Sequence, residues 1–303
     1  MRRLLLWSAQ NRWLAAHVPR WAFARRAVSR FLPGEDFDSA LRAAVEFKAQ
    51  GIGAVFTRLG ENVTDLDQAR AEVEHYEQVL VASAEIQAEI SVKPTHFGLD
   101  VDPAAAYANL QRLAEAAGNA NRFLWIDMEG SAYTEPTIEL YTRVHSQYPN
   151  TGICLQAYLH RTAADVAKLL PLKPAIRLVK GAYSEPAGIA YQTKKDVDAS
   201  YLALCTFVLS RVKSGDLRLV LGTHDVELIG HVWRFADALG MDRSHIEVNM
   251  LYGIRTDEQV RLKREGFAVR CLIAYGDAWY AWYLRRLAER PANVLFAARQ
   301  LLP

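Results

Sequence analysis

Motifs that would hold a metal, a dinucleotide or a serine nucleophile are missing from this chain. Its 303 residues include three cysteines, which lie far apart and form no Cys-x-x-Cys pair. This argues against a zinc site and a disulfide framework, and it suits a reducing compartment. No His-x-x-His pair occurs, and we expect no metal. Neither Gly-x-Gly-x-x-Gly nor Gly-x-x-x-x-Gly-Lys occurs, so the Rossmann and P-loop fingerprints are absent, and no Gly-x-Ser-x-Gly elbow presents a serine.

Long apolar runs and an even charge distribution are also missing. No run reaches the ~18 residues of a membrane-spanning helix, and the early LLLW is too short for a signal peptide. Residues 1–34 have no acidic residue but hold seven arginines, with Trp7, Trp13 and Trp21 among them. We predict a basic helical arm over residues 1–34 and a catalytic domain over residues 35–303.

Three interpretations of the arm remain open at this point. Arginine and tryptophan together suit peripheral contact with an anionic membrane through residues 1–31. An arginine-rich, acid-poor segment is also typical of a mitochondrial-type presequence, and the third interpretation is helices packed on the main domain. Nucleic-acid binding has no motif support elsewhere in the chain.

Beyond the arm, short apolar runs alternate eight times with helical stretches. Eight such units in roughly 250 residues predict an α/β fold, a closed (βα)8 barrel of parallel strands with crossover helices. The predicted strands are 54–59, 90–93, 122–127, 152–156, 176–179, 217–222, 245–249 and 267–273. The predicted helices are 67–89, 102–117, 134–147, 163–169, 200–213, 227–239, 257–265 and 279–290.

Polar residues follow these predicted strands, where barrel enzymes carry their active sites. Each one alone also suits a loop or a helix N-cap, and Asp225 is a good N-cap candidate. Together they predict a site rich in cations and therefore suited to anions. Without a metal or a nucleophile, such a site suits a phosphorylated substrate or a phosphate-bearing organic cofactor. Its predicted members are Lys93, Asp127, Arg177, Lys180, His224, Arg285 and Arg286.

The last predicted helix carries two adjacent arginines in an apolar setting. Trp282, Arg285, Arg286 and Glu289 follow one another at spacings that place them on one helical face. Because an unpaired guanidinium is costly against an apolar surface, this face is typical of a clamp for a small anion. A solvated stripe of ion pairs is the alternative.

Several segments, taken together and in this order, resemble the proline dehydrogenase family and in particular its short bacterial members. The resemblance runs from about residue 40 to the C-terminus. It implies a distorted (βα)8 barrel with the last helix over its mouth. The segments are SVK (91–93), WIDME (125–129), LQAY (155–158), RLVKGAY (177–183), TKK (193–195), THD (223–225) and YLRRLAERPAN (283–293).

The resemblance implies a reaction, a cofactor and a location. Family members oxidise L-proline to Δ1-pyrroline-5-carboxylate, the first step of proline catabolism. A hydride moves from C5 of proline to N5 of a non-covalently held FAD, and the electrons pass to a membrane quinone. The implied location is the cytoplasm, with peripheral contact at the inner face of the cell membrane.

The resemblance also assigns roles to individual positions. The implied catalytic residues are Asp127, which positions neighbouring groups, and Arg177, which stabilises reduced flavin. The implied substrate-binding residues are Lys93, Leu178, Tyr183, Trp282, Arg285, Arg286 and Glu289. The implied FAD-binding residues are Met128, Gln156, Arg177, Val179, Lys180, Gly181, Ala182, Thr193, Lys194, Lys195, Thr223, His224, Asn249 and Met250.

Two positions depart from the family pattern. Leu272 stands where relatives commonly have a tyrosine that touches the substrate, and Trp282 stands where tyrosine is frequent. Glu61, after the first strand, matches a residue that forms an ionic gate with the arginine at position 285; its alternative role is an ordinary charge before a helix.

Two other functions remain open from the residues alone. One is a barrel lyase or aldolase with Lys93 or Lys180 as a Schiff-base nucleophile. The other is a non-catalytic membrane-surface module led by the arm.

Overall fold

A computed structural model of the chain describes residues 8, 11–18, 21, 24, 26, 28–86 and 88–289. Within the helices, the side chains of seven residues lie outside this description: Arg12, Ala15, Ala16, Arg285, Arg286, Ala288 and Glu289.

Eight parallel strands close into a barrel in sequence order, which confirms the predicted (βα)8 fold. Strand β1 pairs with β8 from Gly53 opposite Arg270 to Arg58 opposite Tyr275, and this pairing closes the ring. Each end of a predicted strand lies within two residues of the observed one. The strands are β1 (Gly53–Arg58), β2 (Glu89–Val92), β3 (Leu124–Ile126), β4 (Thr151–Gln156), β5 (Ala175–Val179), β6 (Arg218–Gly222), β7 (Glu247–Leu251) and β8 (Ala268–Tyr275).

Most of the helices alternate with these strands and pack their apolar faces on the outside of the barrel. Those described are α1 (Arg12–His17), α2 (Phe37–Ala49), α3 (Leu66–Ala82), α4 (Pro103–Asn119), α5 (Thr134–His145), α6 (Thr162–Leu169), α7 (Lys194–Lys213), α8 (Val226–Ala238), α9 (Thr256–Arg264) and α10 (Trp279–Glu289).

Two helix ends differ from the prediction by six residues or more, and one whole helix was not predicted. Helix α3 ends at Ala82, so residues 83–86 lie outside the helix that was predicted to reach residue 89. Helix α7 begins at Lys194 instead of residue 200, because the Thr193 hydroxyl accepts a hydrogen bond from the backbone N–H of Asp196 and caps the first turn. Helix α2 precedes β1 and was not predicted; it packs against β1 and β8.

Inside the barrel, side chains form layers of different chemistry. At the amino-terminal end, Arg218 and Arg270 form ion pairs with Glu89 and Glu247. An apolar layer follows, made of Val55, Trp125, Ala175 and Val220, all buried. These two layers close the barrel from below, so the interior opens towards the carboxyl-terminal ends of the strands.

Helix α10 covers part of that open end, together with the described part of the arm. Trp279 and Trp282 of α10 share a small apolar core with Leu59, Val28 and Phe31. The Trp279 indole N–H donates to Glu35 at 2.9 Å. The end of the arm therefore packs on the helix over the mouth. In the described part of the chain, no helix combines the length and the apolar character needed to cross a membrane.

Candidate active site

A cavity of about 630 Å³ opens at the carboxyl-terminal ends of the strands. Most of the residues that the sequence assigns to a site line this one cavity, although they come from different strands and from α10. The assigned residues that line it are Lys93, Asp127, Met128, Gln156, Arg177, Val179, Lys180, Gly181, Ala182, Tyr183, Thr193, Lys194, Thr223, His224, Asn249, Met250 and Trp282. Leu272, the departure on β8, lines it too.

A buried ion pair forms part of the cavity wall. Arg177 of β5 is 2% exposed and pairs with the carboxylate of Asp127, which follows β3. Ser91 of β2 bridges the pair: its hydroxyl accepts from Nη2 of Arg177 at 2.7 Å and donates to Oδ2 of Asp127 at 3.0 Å. Burial alone would lower the pKa of Arg177, but the charge of Asp127 outweighs it and the pKa is raised. The guanidinium is therefore permanently charged and fixed in direction.

Asn249 of β7 lines the cavity with an amide that has no hydrogen-bond partner within the described part of the chain. It is 4% exposed, and neither Oδ1 nor Nδ2 finds a hydrogen-bond partner among the described residues. A buried amide left without partners costs about 1–3 kcal/mol. A ligand edge that presents both a donor and an acceptor would remove that cost.

The chain after β5 approaches the site closely because one residue has no side chain. Gly181 has φ +120°, and a Cβ there would lie 2.3 Å from Cδ1 of Tyr158. Any larger residue would push the backbone off this ring. Gly181 therefore brings the backbone of residues 180–182 to the cavity wall.

Two lysines of the cavity are already paired with carboxylates. Lys180 contacts Asp198 and lies 2.8 Å from Asp225, and Lys194 contacts the same two aspartates. Burial tends to raise the pKa of Asp225, but the hydrogen bond and charge of Lys180 outweigh it, so the pKa lies well below its ordinary value. This end of the cavity carries two positive and two negative charges, and is less cationic than the sequence suggests.

Lys93, after β2, is held by the backbone instead. Its Nζ donates to the carbonyl of Gly60 at 3.0 Å. The ammonium thus lies at the cavity wall with a neutral acceptor behind it.

Three assigned residues lie away from the cavity lining. Leu178, expected in the substrate wall, is 1% exposed and packs between the barrel and the helices, because its neighbours Arg177 and Val179 occupy the inward positions of β5. Lys195 is exposed on α7 and does not line the cavity. Glu61 follows Gly60 in the loop after β1 and is likewise not among the lining residues.

The clamp prediction concerns side chains outside the described part of the chain. The backbone of Arg285, Arg286 and Glu289 continues α10, which contributes Trp282 to the lining. The clamp and its gate with Glu61 stay predictions.

Several lining residues were not expected from the sequence. Leu59 and Leu251 form apolar wall, Asp198 and Asp225 bind the lysines, and Cys154 lies on the inner side of β4. Burial raises the pKa of the Cys154 thiol to about 11, so it is a neutral wall group. Leu251 stands two residues after Asn249 on β7, so the period of a strand could have identified it.

Among the described residues, no group of three or more His, Cys, Asp or Glu side chains is arranged to hold a metal ion.

Comparisons with known sequences give a consistent result. A family model described as proline dehydrogenase matches residues 40–299. Proline dehydrogenase 2 of Bacillus subtilis (strain 168) is 32% identical over 298 residues, which cover 98% of this chain and 97% of that protein. The proline dehydrogenase of Deinococcus radiodurans is 35% identical over 280 residues, covering 90% of this chain and 89% of that protein.

Solved structures with the same fold are much longer. Proline utilization A from Bdellovibrio bacteriovorus, inactivated by N-propargylglycine, matches with a TM-score of 0.80 at 20% identity, over 95% of this chain and 38% of that chain. Proline utilization A from Corynebacterium freiburgense matches with a TM-score of 0.76 at 22% identity, over 99% of this chain and 34% of that chain. This chain therefore spans less than two-fifths of those proteins, and the likeness concerns the fold.

Proposed function

This chain belongs to the proline dehydrogenase family, and from that premise we propose that it oxidises L-proline to Δ1-pyrroline-5-carboxylate with FAD and passes the electrons to a membrane quinone. One observation carries the proposal: Lys93, the buried Arg177–Asp127 pair and the partnerless amide of Asn249 line one cavity at the active end of the barrel. That set offers a charge for a carboxylate and polar groups for a flavin.

The residues present fit a flavin nucleotide. The amide of Asn249 offers one donor and one acceptor, which match the mixed edges of an isoalloxazine or an adenine ring. The cavity also reaches Thr193 and Lys194 at the start of α7, a helix of 20 residues whose N-terminal N–H groups favour phosphate. Met128, Gln156 and the backbone of residues 180–182 line the stretch between these ends.

When bound, FAD would accept the hydride from C5 of proline at its N5. The protein's own part is binding and orientation. Lys93 would hold the proline carboxylate, and the arginines of α10 would add bidentate contacts. Holding two reacting groups in one geometry lowers a barrier by ~7–11 kcal/mol at best.

The apolar wall has a separate part in the reaction. Trp282, Leu251 and Leu272 contribute apolar surface to the cavity lining. We propose that they enclose the pyrrolidine and exclude water, which strengthens the ion pairs of Lys93 and Arg177. Leu272 leaves this wall without the hydroxyl common in relatives, so selectivity among cyclic amines rests on shape.

The lysine contacts do not favour a Schiff-base lyase. Lys180 lies between two carboxylates, and an ammonium held in that way is not a nucleophile. Lys93 donates to a carbonyl and has no general base among the contacts described for it.

The test is the absorption spectrum of the purified protein. We expect a flavin spectrum that bleaches anaerobically when L-proline is added, with D-proline as the control. A colourless preparation, or a flavin that L-proline leaves oxidised, would contradict the proposal.

A matched pair of variants tests the carboxylate site. Lys93→Gln should raise the KM for proline by roughly 10–100-fold, the effect of losing one charged hydrogen bond worth about 1.5–3 kcal/mol. Lys168→Gln removes an exposed lysine that pairs with Glu135 on the outer helices, and should leave KM unchanged. Equal KM values for both variants would remove Lys93 from the substrate site.

A further inference from the structure

The loop after β1 rests on the imidazole ring of His96. A Cβ at residue 60 would lie 2.2 Å from Cε1 and 2.3 Å from Nε2 of His96, far inside contact distance. The ring therefore occupies the space that any side chain at Gly60 would need. His96 belongs to a short 3₁₀ turn, Pro94–Phe97, which begins directly after Lys93.

The same turn holds the loop at a second point. The N–H of Asn62 donates to Oγ1 of Thr95 at 3.0 Å, and the N–H of Val63 donates to its carbonyl at 3.3 Å. The hydroxyl of Thr95 in turn donates to the buried carboxylate of Glu129 at 2.6 Å. Thr95 fixes the far end of the loop, the N–H of Leu59 donates to the carbonyl of Tyr275 at 2.7 Å directly before Gly60, and the ring of His96 lies against Gly60 between these two points.

Behind the ring lies a buried carboxylate. Nδ1 of His96 is 3.5 Å from Oε1 of Glu72, whose other oxygen accepts from Arg58 at 2.8 Å. Burial, aided by the charges of Lys93 and Arg58, lowers the pKa of His96 to about 3. The ring is therefore neutral at ordinary pH, and it can lie near the Lys93 ammonium without charge repulsion.

On the other side of the ring, Gly60 contacts a residue of the cavity wall. Its carbonyl accepts the hydrogen bond from Nζ of Lys93 at 3.0 Å. A continuous row of contacts thus runs from Glu72 through His96 and Gly60 to a charged group of the cavity wall.

We propose that His96 is a positioning residue: its ring turns the Gly60 carbonyl towards Lys93 and so fixes the ammonium at the cavity wall. The identity of the anion that Lys93 binds rests on the proposed function, but the placement of Lys93 does not. His96 itself does not line the cavity.

The test uses three variants that move the ring and the glycine separately. Gly60→Ala drives a methyl group into the ring, and His96→Ala removes the ring. The double variant Gly60→Ala/His96→Ala places the new methyl group in the space that the ring has left. Because contacting residues are not additive, a double-mutant cycle isolates this contact.

The first readout is steady-state kinetics with L-proline. We expect each single variant to raise KM about 10-fold, the loss of one oriented charged hydrogen bond, with kcat within about threefold of wild type. The double variant should lie closer to wild type than Gly60→Ala does. A residue that merely supports the fold would lower the amount of active protein without this split between KM and kcat.

The second readout needs no substrate turnover. Labelling by an amine-reactive reagent, followed by mass spectrometry, reports the accessibility of Lys93 in each variant. We expect faster labelling of Lys93 in both single variants and a return towards wild type in the double variant. Lys173, which is 73% exposed near the opposite end of the barrel, should label equally in all of them.

The outcomes separate the two proposals. Unchanged Lys93 labelling in folded His96→Ala would overturn the positioning role. Because His96→Ala introduces no clash, it still provides the test if Gly60→Ala fails to fold. Altered labelling with an unchanged KM would uphold the positioning of Lys93 and overturn its part in proline binding. Additive effects in the double variant would also overturn the proposal.

Discussion

Replacing Asp127 with asparagine is expected to destabilise the folded protein by roughly 3 kcal/mol. Asparagine keeps the shape of aspartate but removes the negative charge beside Arg177, whose side chain is 3% exposed. Breaking a buried ion pair costs about 3–5 kcal/mol, because the remaining charge stays buried without compensation. The Asp127 side chain is 20% exposed, and the Ser91 hydroxyl still accepts from Arg177, so we expect the lower end of that range.

Chemical unfolding at equilibrium measures this loss. The midpoint should fall while the slope of the free energy against denaturant stays unchanged. The matched control is Glu77→Gln, which breaks an exposed pair with Arg112 held by two hydrogen bonds of 2.8 and 2.7 Å. An exposed pair contributes ~0–1 kcal/mol, so the control should shift the midpoint little.

The reasoning fails if Asp127→Asn unfolds at the same denaturant midpoint as Glu77→Gln and wild type.

A second comparison concerns the site itself. Asp127→Asn should lower kcat, since Arg177 loses the partner that fixes its direction, whereas Glu77→Gln should leave kcat unchanged. A destabilised Asp127→Asn with normal kcat would restrict the pair to a structural role.

Three further predictions concern pH, the clamp and the arm. Burial raises the pKa of Glu72 from 4.5 to about 7, so its contribution to stability is present below pH 4.5 and lost as the pH rises to about 7. Thermal unfolding at both ends of this pH window should show a smaller loss of stability in Glu72→Gln than in wild type. An equal loss of stability would contradict the raised pKa of Glu72. Arg286→Ala should raise the KM for proline strongly in steady-state assays, and an unchanged KM would refute the clamp. Trp13 and Trp21 are 60% and 42% exposed, so replacing both with serine should weaken binding to anionic vesicles at low salt while the fold persists; equal binding would leave the arm a packing element.

The strands were predictable because each one is a short apolar run between polar ends. Their number and spacing fixed the closed barrel, and the polar residues after them fixed the mouth as the site. Helix ends were harder, since they depend on single side chains. Helix α7 begins six residues before its predicted start, because the Thr193 hydroxyl accepts a hydrogen bond from the Asp196 N–H and caps the first turn. The spacing of apolar residues does not reveal such a single contact.

Leu178 shows a different difficulty, because its side chain lies outside the cavity lining. The family resemblance assigned every residue of the segment RLVKGAY to the site, but side chains of a strand alternate between its two faces. Since Arg177 points into the barrel, its neighbour Leu178 must point towards the helices, where it is buried. The alternation was present in the sequence, and applying it would have excluded Leu178.

The cations of the site could be counted from the sequence, but their pairing could not. Asp198 and Asp225 come from different parts of the chain, yet both reach Lys180 and Lys194 and neutralise them. Arg177 is likewise neutralised by Asp127. Lys93 differs from these three, because the hydrogen bond described for it goes to a backbone carbonyl and not to a carboxylate. We therefore expect an anionic substrate to bind at the Lys93 side of the cavity, and we expect its affinity to fall in variants that move Lys93 or replace Arg285 or Arg286.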